Sequence, residues 1–196
     1  GIILDKHGKR IANELGRRDY VTGRMNANEG PFRLLLNKKA SEEIAWHCKH
    51  YRSRKIMKFF ESGADIAKEM GIDYKVLEQT FAEYNTYAKQ MEECGGDGGP
   101  YDAYPKGKSF DPFGKKFFVN WPVEATDCYN VSIITPVIHY TMGGVVINDQ
   151  AELMDGKGQV IPGLFGAGEI NGGIHGENRL GGNSLLDCVV YGRVAG

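Results

Sequence analysis

Glycine is concentrated near one end of this 196-residue chain. Seven glycines fall within seventeen consecutive positions: Gly166, Gly168, Gly172, Gly173, Gly176, Gly181 and Gly182. This density costs backbone entropy on folding, and the cost is usually offset where the main chain comes close to another group. A flat or phosphorylated cofactor would be such a group. The sequence therefore predicts a ligand-binding region in this part of the chain.

An apolar stripe predicts one long helix in the first half of the chain. Five residues recur at spacings of three and four: Leu77, Phe81, Tyr84, Ala88 and Met91. This spacing places them on one helical face, and Asp73 precedes them as an N-cap. Such a stripe normally covers a neighbouring layer, so we assign it to core packing rather than to cofactor contact.

Shorter patterns predict the remaining elements of the first part. Residues 2–4 and 33–36 are short apolar runs typical of strands. The sequence from Ser41, a candidate N-cap, through Phe60 is rich in helix formers, and Ser62 is a further candidate cap. We therefore expect a mainly helical first part.

Beyond this part, glycine and β-formers dominate. The segment Gly95 to Pro100 predicts a flexible loop, and because it follows a helix instead of opening one, it does not favour phosphate binding. Four runs typical of strands follow: 117–119, 131–134, 145–147 and 164–165. Asn183 to Ala195 predicts a last helix, with four residues able to face a sheet: Leu185, Leu186, Val189 and Val190.

Composition argues against several classes of partner. The chain has 24 Lys and Arg against 25 Asp and Glu, a net charge of −1, so nothing indicates a nucleic acid or an anionic membrane. No apolar run approaches the roughly 20 residues of a membrane-spanning helix. The four cysteines are widely spaced without a Cys-x-x-Cys pair, so we predict reduced thiols and no metal site. Reduced thiols favour an intracellular setting, such as the cytosol, a mitochondrion or another organelle.

Three polar positions allow a structural and a functional interpretation. Arg17-Arg18-Asp19 is most simply a solvated surface turn. His139 ends an apolar strand, where a packed histidine and a functional one are equally consistent with the sequence. Glu169 is either a solvent-facing loop acid or a carboxylate placed for ribityl or ribose hydroxyls.

Two further features indicate recognition of an electron-rich ligand. Arg179 offers a planar fork that matches a carboxylate, which lysine cannot reproduce. The backbone N–H groups of Ser184 and Leu185 lie at the start of the last predicted helix and can face carbonyls of a bound ring.

Four motifs occur in order along the chain. They are Gly8 to Glu14 leading to Arg18-Asp19, Thr135-Pro136 with His139 and Thr141 to Gly144, Ile161 to Glu169, and His175 to Ser184. Together they resemble the flavoprotein subunits of the fumarate reductase and succinate dehydrogenase family. The sequence is closer to the soluble single-chain fumarate reductases, which include flavocytochrome c and NADH-linked enzymes. The resemblance spans nearly the whole chain but is specific only at its start and from Thr135 onward.

The resemblance implies an α+β fold. In that family a capping domain is inserted into an FAD-binding domain, and the substrate lies between them against the flavin. Residues 1–127 would be the capping domain, built of helices with a small sheet. Residues 128–196 would be the C-terminal portion of a Rossmann-like FAD-binding domain. The implied reaction reduces fumarate to succinate with a hydride from reduced flavin and a proton from Arg18.

The resemblance also implies roles for single residues. At the substrate, the matched positions are Arg18 for the proton-donating arginine, His139 and Arg179 for the residues that hold a carboxylate, and Gly182 for the pocket wall. The positions that match FAD contacts are Tyr140, Glu169, Ser184 and Leu185. Tyr140 departs slightly from the family, since some relatives have a second histidine there and others an aromatic residue.

Several family features lie outside this sequence. They are the Gly-x-Gly-x-x-Gly turn for the FAD pyrophosphate, the histidine and threonine for the other carboxylate, and the glutamate and arginine that relay the proton. We therefore expect a C-terminal portion of a longer protein, inactive alone and requiring the preceding part to bind FAD fully. The electron-donating domain or protein is not specified by the sequence.

Two alternatives stay open at this point. His139 and Arg179 together suit one carboxylate group, but they do not show whether the substrate has a second one. The substrate is therefore alternatively another unsaturated acid, such as urocanate or methacrylate. The other alternative is an inactive, isolated cap module that serves only in assembly.

Overall fold

The structure is a computed structural model that describes residues 1–93 and 109–196. The predicted loop from Gly95 to Pro100 lies outside the described residues. The chain forms two compact units, Gly1–Pro136 and Val137–Gly196, called here the first and the second unit. The mixture of helices and strands expected from the sequence is confirmed.

The first unit is organised by a four-stranded antiparallel sheet. Its strands are β1 (Ile2–Leu4), β2 (Phe32–Asn37), β3 (Met57–Phe60) and β4 (Tyr129–Ile134), in the order β1-β2-β4-β3. Strand β4 inserts between β2 and β3, with Leu35 opposite Val131 and Met57 opposite Ser132. The predicted strands at 2–4, 33–36 and 131–134 are confirmed. Strand β3 was not predicted, and it lies in the part of the chain that the sequence indicated as mainly helical.

Among the described residues, the first unit has five helices. They are α1 (Arg18–Asn26), α2 (Lys38–Glu43), α3 (Ala45–Ser53), α4 (Gly63–Met70) and α5 (Tyr74–Glu93). Two predicted caps are confirmed: the Ser62 hydroxyl accepts from the Asp65 N–H at 3.3 Å, and the Asp73 carboxylate accepts from the Lys75 N–H at 2.9 Å.

The helix predicted from Ser41 to Phe60 is wrong in two respects. Its cap is Asn37, whose side-chain oxygen accepts from the Ala40 N–H at 3.1 Å. Ser41 lies inside α2, where its hydroxyl donates to the Leu36 carbonyl at 3.2 Å. The segment also divides into α2, α3 and β3, because its last residues pair with β4.

The stripe on α5 packs into the core of the first unit, as predicted. Its five residues are buried, with exposed fractions of 4% or less: Leu77, Phe81, Tyr84, Ala88 and Met91. Phe81 stacks on Tyr129 of β4 with ring centroids 5.7 Å apart. Burying each large apolar side chain stabilises the fold by about 1.5–3 kcal/mol.

A buried cluster of charges joins two distant segments of the first unit. The Arg10 guanidinium donates to Glu14 at 2.7 Å and to Asp111, and the Lys115 ammonium donates to Glu14 at 2.9 Å and to the Tyr84 hydroxyl at 3.0 Å. The four charged side chains are at most 7% exposed. Two cations and two carboxylates balance, as a buried cluster requires.

The second unit has less regular structure. Strands β5 (Glu152–Met154) and β6 (Val160–Phe165) pair antiparallel, and α6 spans Asn183–Ala195, which confirms the predicted last helix. The predicted strand at 145–147 is reduced to isolated bridges, from Val145 to Asn171 and from Ile147 to Leu153. In the first unit, residues 117–119 are irregular, so the strand predicted there is wrong.

The apolar face of α6, which was expected to be able to face a sheet, is exposed in the described structure. Its four residues are 45–75% exposed: Leu185, Leu186, Val189 and Val190. Within residues 1–93 and 109–196, no helix is both long and apolar enough to cross a membrane.

Candidate functional site

Close backbone packing accounts for some of the glycines of the second unit. A Cβ atom on Gly144 would overlap the Ile170 carbonyl oxygen, and one on Gly172 would lie 2.6 Å from the Gly144 nitrogen. Here the Val145 N–H donates to Ile170 at 2.8 Å and the Gly172 N–H donates to Val145 at 2.9 Å. These glycines are therefore required by the approach of one chain segment to another.

The segment from His139 to Thr141 is tied to the glycine-rich turn before Glu169. The Thr141 N–H donates to the Glu169 carboxylate at 3.1 Å. His139 is exposed. Tyr140, which lies between His139 and Thr141, has a positive φ of 57°. A bulky residue rarely adopts this left-handed conformation, and it does so most often at functional sites.

The Tyr140 side chain points into a polar cluster. Its hydroxyl donates to the Asp187 carboxylate at 3.0 Å and lies 3.2 Å from the His175 Nε2 atom. Burial raises the pKa of Tyr140, and the hydrogen bond to Asp187 and its negative charge raise that pKa further. The hydroxyl therefore remains protonated and acts as a donor at neutral pH.

Arg179 packs on the aromatic ring of Tyr140. The guanidinium carbon lies 4.3 Å from the ring centroid, and one terminal nitrogen donates to the Leu180 carbonyl at 3.1 Å. The residue is only 7% exposed. A cation on an aromatic face is attracted by the ring quadrupole, which fixes the distance of the guanidinium group from the Tyr140 ring.

The start of α6 provides backbone donors. Gly182 is the N-cap residue, with φ of 84°, and it makes no side-chain capping bond. The first N–H groups of a helix lack partners within the helix, and those of Ser184 and Leu185 belong to this set. Their position is the one predicted from the sequence.

The structure brings several predicted site residues of the second unit together. Tyr140 and Arg179 are in direct contact, and Glu169 binds the residue next to Tyr140. Arg18 lies in the first unit, exposed, as the first residue of α1. Arg17 and Asp19 beside it form an exposed ion pair at 3.3 Å, so the predicted solvent exposure is confirmed, but the predicted turn is wrong because helix α1 begins at Arg18.

Sequence reasoning gave no role to three polar residues of the second unit. Asn171 and Asp187 are buried, and the side chain of His175 is 9% exposed. The sequence did contain a signal for Asp187, because it is the one acid within the apolar run of α6, and a buried acid needs a partner. Both polar atoms of the Asn171 side chain are buried without a hydrogen-bond partner in the described part of the chain. Such an orphaned amide is rare and indicates a missing partner.

Comparison with known proteins places this arrangement in context. Residues 1–185 match the family described as FAD binding domain. The fumarate reductase of Schizosaccharomyces pombe is 44% identical over 195 residues, a match that covers 100% of this chain and 34% of that protein. The fumarate reductase (cytochrome) of Shewanella frigidimarina is 35% identical over 196 residues, covering 100% of this chain and 31% of that protein.

The fold is also similar to a solved structure, the open conformation of a flavocytochrome c3 fumarate reductase. The TM-score is 0.68 at 30% identity, over 99% of this chain and 31% of that one. The chain thus spans about a third of the length of the relatives that it matches.

Proposed function

Because the chain belongs to the family of FAD-binding domains, we propose that it forms the substrate-binding part of a flavin-dependent fumarate reductase. The whole protein would reduce the carbon–carbon double bond of fumarate and release succinate. The similarity to two fumarate reductases and to a flavocytochrome c3 fumarate reductase supports this substrate.

The buried guanidinium of Arg179 is the observation that carries the proposal. A carboxylate is bound most specifically by two parallel N–H donors, and a guanidinium presents them in a fixed plane. Arg179 is 7% exposed and stacked 4.3 Å above the Tyr140 ring, so its plane is set before any substrate arrives. Such preorganisation reduces the entropy lost on binding. We assign Arg179 and His139 to one carboxylate of the substrate, with Gly182 lining the same pocket.

The residues of the second unit fit a bound FAD. The N-terminal N–H groups of α6 have no side-chain cap, so Ser184 and Leu185 can donate to electron-rich atoms of the ring system. The orphaned amide of Asn171 is a further polar group without a partner among the described residues. When bound, FAD would supply the hydride. Tyr140 and Glu169 complete the set of residues that we assign to it.

Arg18 is the residue that we assign to proton transfer. An arginine in proteins seldom loses its proton, since its pKa lies above about 12, so an arginine acid must be re-protonated at once by a neighbouring group. Arg18 begins α1 and is exposed. It would protonate the carbon next to the one that receives the hydride, while Arg179 and His139 stabilise the negative charge that develops on the substrate.

The two parts of the chain would have separate tasks. We propose that residues 1–127 form a capping domain and that residues 128–196 form the end of an FAD-binding domain. Arg18 would then act from the cap, and His139 and Arg179 from the FAD domain.

The experiment that tests this proposal uses the full-length protein. The purified protein is expected to carry flavin, seen by its absorbance, and after anaerobic reduction with dithionite it is expected to be reoxidised by fumarate with release of succinate. Urocanate and methacrylate serve as alternative oxidants. Faster reoxidation by either would show a different unsaturated acid as the substrate, and a colourless protein inert to all three would refute the proposal.

A further inference from the structure

Three polar groups form a triangle in the second unit: the Tyr140 hydroxyl, the His175 imidazole and the Asp187 carboxylate. This hydroxyl lies 3.0 Å from the Asp187 Oδ2 atom and 3.2 Å from the His175 Nε2 atom, and these last two atoms are 3.4 Å apart. The side chains of His175 and Asp187 are 9% and 1% exposed. Neither residue has a task in the function proposed above.

The proton positions in this triangle follow from its chemistry. An ionised carboxylate only accepts hydrogen bonds, so the Tyr140 hydroxyl donates its proton to Asp187. The His175 Nε2 atom then faces two acceptors, the phenol oxygen and the Asp187 Oδ2 atom. Nε2 must therefore carry a proton to bind either of them. One carboxylate oxygen of Asp187 thus fixes both the phenol and the imidazole.

This anchoring explains how Tyr140 keeps its unfavourable backbone conformation. A φ of 57° persists only where the surrounding structure holds the residue in place. The hydroxyl is held by Asp187 at one end, and the next backbone N–H, that of Thr141, is held by Glu169 at 3.1 Å. The ring between these two attachments therefore has a fixed place and tilt.

The ring of Tyr140 in turn carries Arg179. With 4.3 Å between the guanidinium carbon and the ring centroid, any movement of the ring changes where the guanidinium lies. We propose that Asp187 and His175 are positioning residues, which hold the Tyr140 ring so that the Arg179 guanidinium is fixed for a substrate carboxylate. This inference rests on the proposed function, because that function assigns Arg179 to the carboxylate.

The test measures steady-state fumarate reduction by the full-length protein and three variants, Tyr140→Phe, Asp187→Ala and the double variant. Each single variant is expected to raise KM for fumarate about tenfold while kcat changes less than about threefold, as lost ground-state binding requires. Because the two residues act as one unit, the double variant should be no worse than the worse single variant. Effects that multiply in the double variant would overturn the proposal, as would unchanged KM values.

A conservative variant separates hydrogen bonding from charge. Asp187→Asn keeps an oxygen for the Tyr140 hydroxyl, and its amide group can take the place of Oδ1, which has no partner within the described residues. We expect this variant to restore KM to within about threefold of wild type. Tyr191→Phe, which removes a hydroxyl elsewhere on α6, and Asp149→Asn, in an exposed turn, are the matched controls. If Asp187→Ala does not fold, the comparison of Tyr140→Phe with Tyr191→Phe decides the question.

A second readout requires no turnover. Phenylglyoxal modifies accessible guanidinium groups, and mass spectrometry follows the modification of Arg179 alone. Asp187→Ala and Tyr140→Phe are expected to raise its rate severalfold over wild type and over the two controls. Faster modification in a protein that fails to reduce fumarate would support the positioning role and refute the proposed function. Unchanged modification in an active protein would refute the positioning role alone.

Discussion

The substitution Glu14→Gln tests the buried charge cluster of the first unit. The Glu14 carboxylate accepts from the Arg10 guanidinium at 2.7 and 3.0 Å and from the Lys115 ammonium at 2.9 Å. Glutamine keeps the shape but removes one of the two negative charges that balance these cations. Breaking a buried pair in this way costs about 3–5 kcal/mol, because an uncompensated charge stays buried. We expect a loss of this size in the free energy of unfolding at pH 7.

The pH dependence of this loss has a defined sign. Burial alone would raise the pKa of Glu14, but the hydrogen bonds and charges of Arg10 and Lys115 outweigh burial and hold that pKa below its usual 4.5. A lowered carboxyl pKa contributes stability that is present above the unfolded-state value and is lost as the pH falls through the folded-state value. The difference between wild type and Glu14→Gln should therefore be full above pH 4.5 and shrink below it.

Urea unfolding of the full-length protein, followed by circular dichroism between pH 3 and pH 7, measures this difference. The matched control is Glu93→Gln, because Glu93 also pairs with a cation four residues away, Lys89, but at 3.8 Å and with both side chains more than 60% exposed. Such exposed pairs contribute about 0.3–0.5 kcal/mol. Equal losses for the two variants, or a gap that widens in acid, would refute the account of the cluster.

Three further substitutions test the core, the close backbone packing and the carboxylate site. Phe81→Ala should lower the free energy of unfolding by about 3–5 kcal/mol because Phe81 is 2% exposed. Phe59→Ala, at a 42% exposed position, should lower it far less, and urea unfolding measures both variants. Gly144→Ala should destabilise the second unit while Gly143→Ala, with open space around it, should not, as hydrogen exchange followed by mass spectrometry would show. Arg179→Gln should raise KM for fumarate at least tenfold with flavin retained, and an unchanged KM would exclude Arg179 from carboxylate binding.

Elements with a strong local pattern were predictable from the sequence. The stripe of α5 has regular spacing and a cap at Asp73, and the structure gives a helix from Tyr74 to Glu93. Helix α6 was predicted with its observed bounds. In both cases the residues that define the helix are neighbours in sequence, so local periodicity carries the information.

Features that local sequence does not indicate, or for which it favours another structure, were not predictable. Residues 57–60 follow a run of helix formers and form a strand only because they pair with β4. Likewise, Lys115 and Glu14 are 101 positions apart, and nothing in either segment indicates the other. Strand pairing and buried ion pairs are tertiary interactions that override local propensity.

The candidate site shows the same division. The resemblance of motifs indicated Tyr140 and Arg179, and the structure shows their contact. The resemblance did not indicate the hydrogen bond from Tyr140 to Asp187, which are 47 positions apart in sequence. The association of the dense glycines with close approach is confirmed at three of the seven, where the neighbouring atoms belong to the same unit: Gly166, Gly168 and Gly172. A Cβ atom at the other four would meet nothing within 4 Å: Gly173, Gly176, Gly181 and Gly182.

The most direct test of the central claim is the rate at which fumarate reoxidises the prereduced full-length protein in which Arg18 is replaced by lysine. Removing a general acid lowers the rate by about 10²–10⁴-fold. We predict a loss of this size in Arg18→Lys with flavin still bound, and a near-normal rate in the neighbouring control Arg17→Lys. Near-normal reoxidation of Arg18→Lys by fumarate would contradict the account.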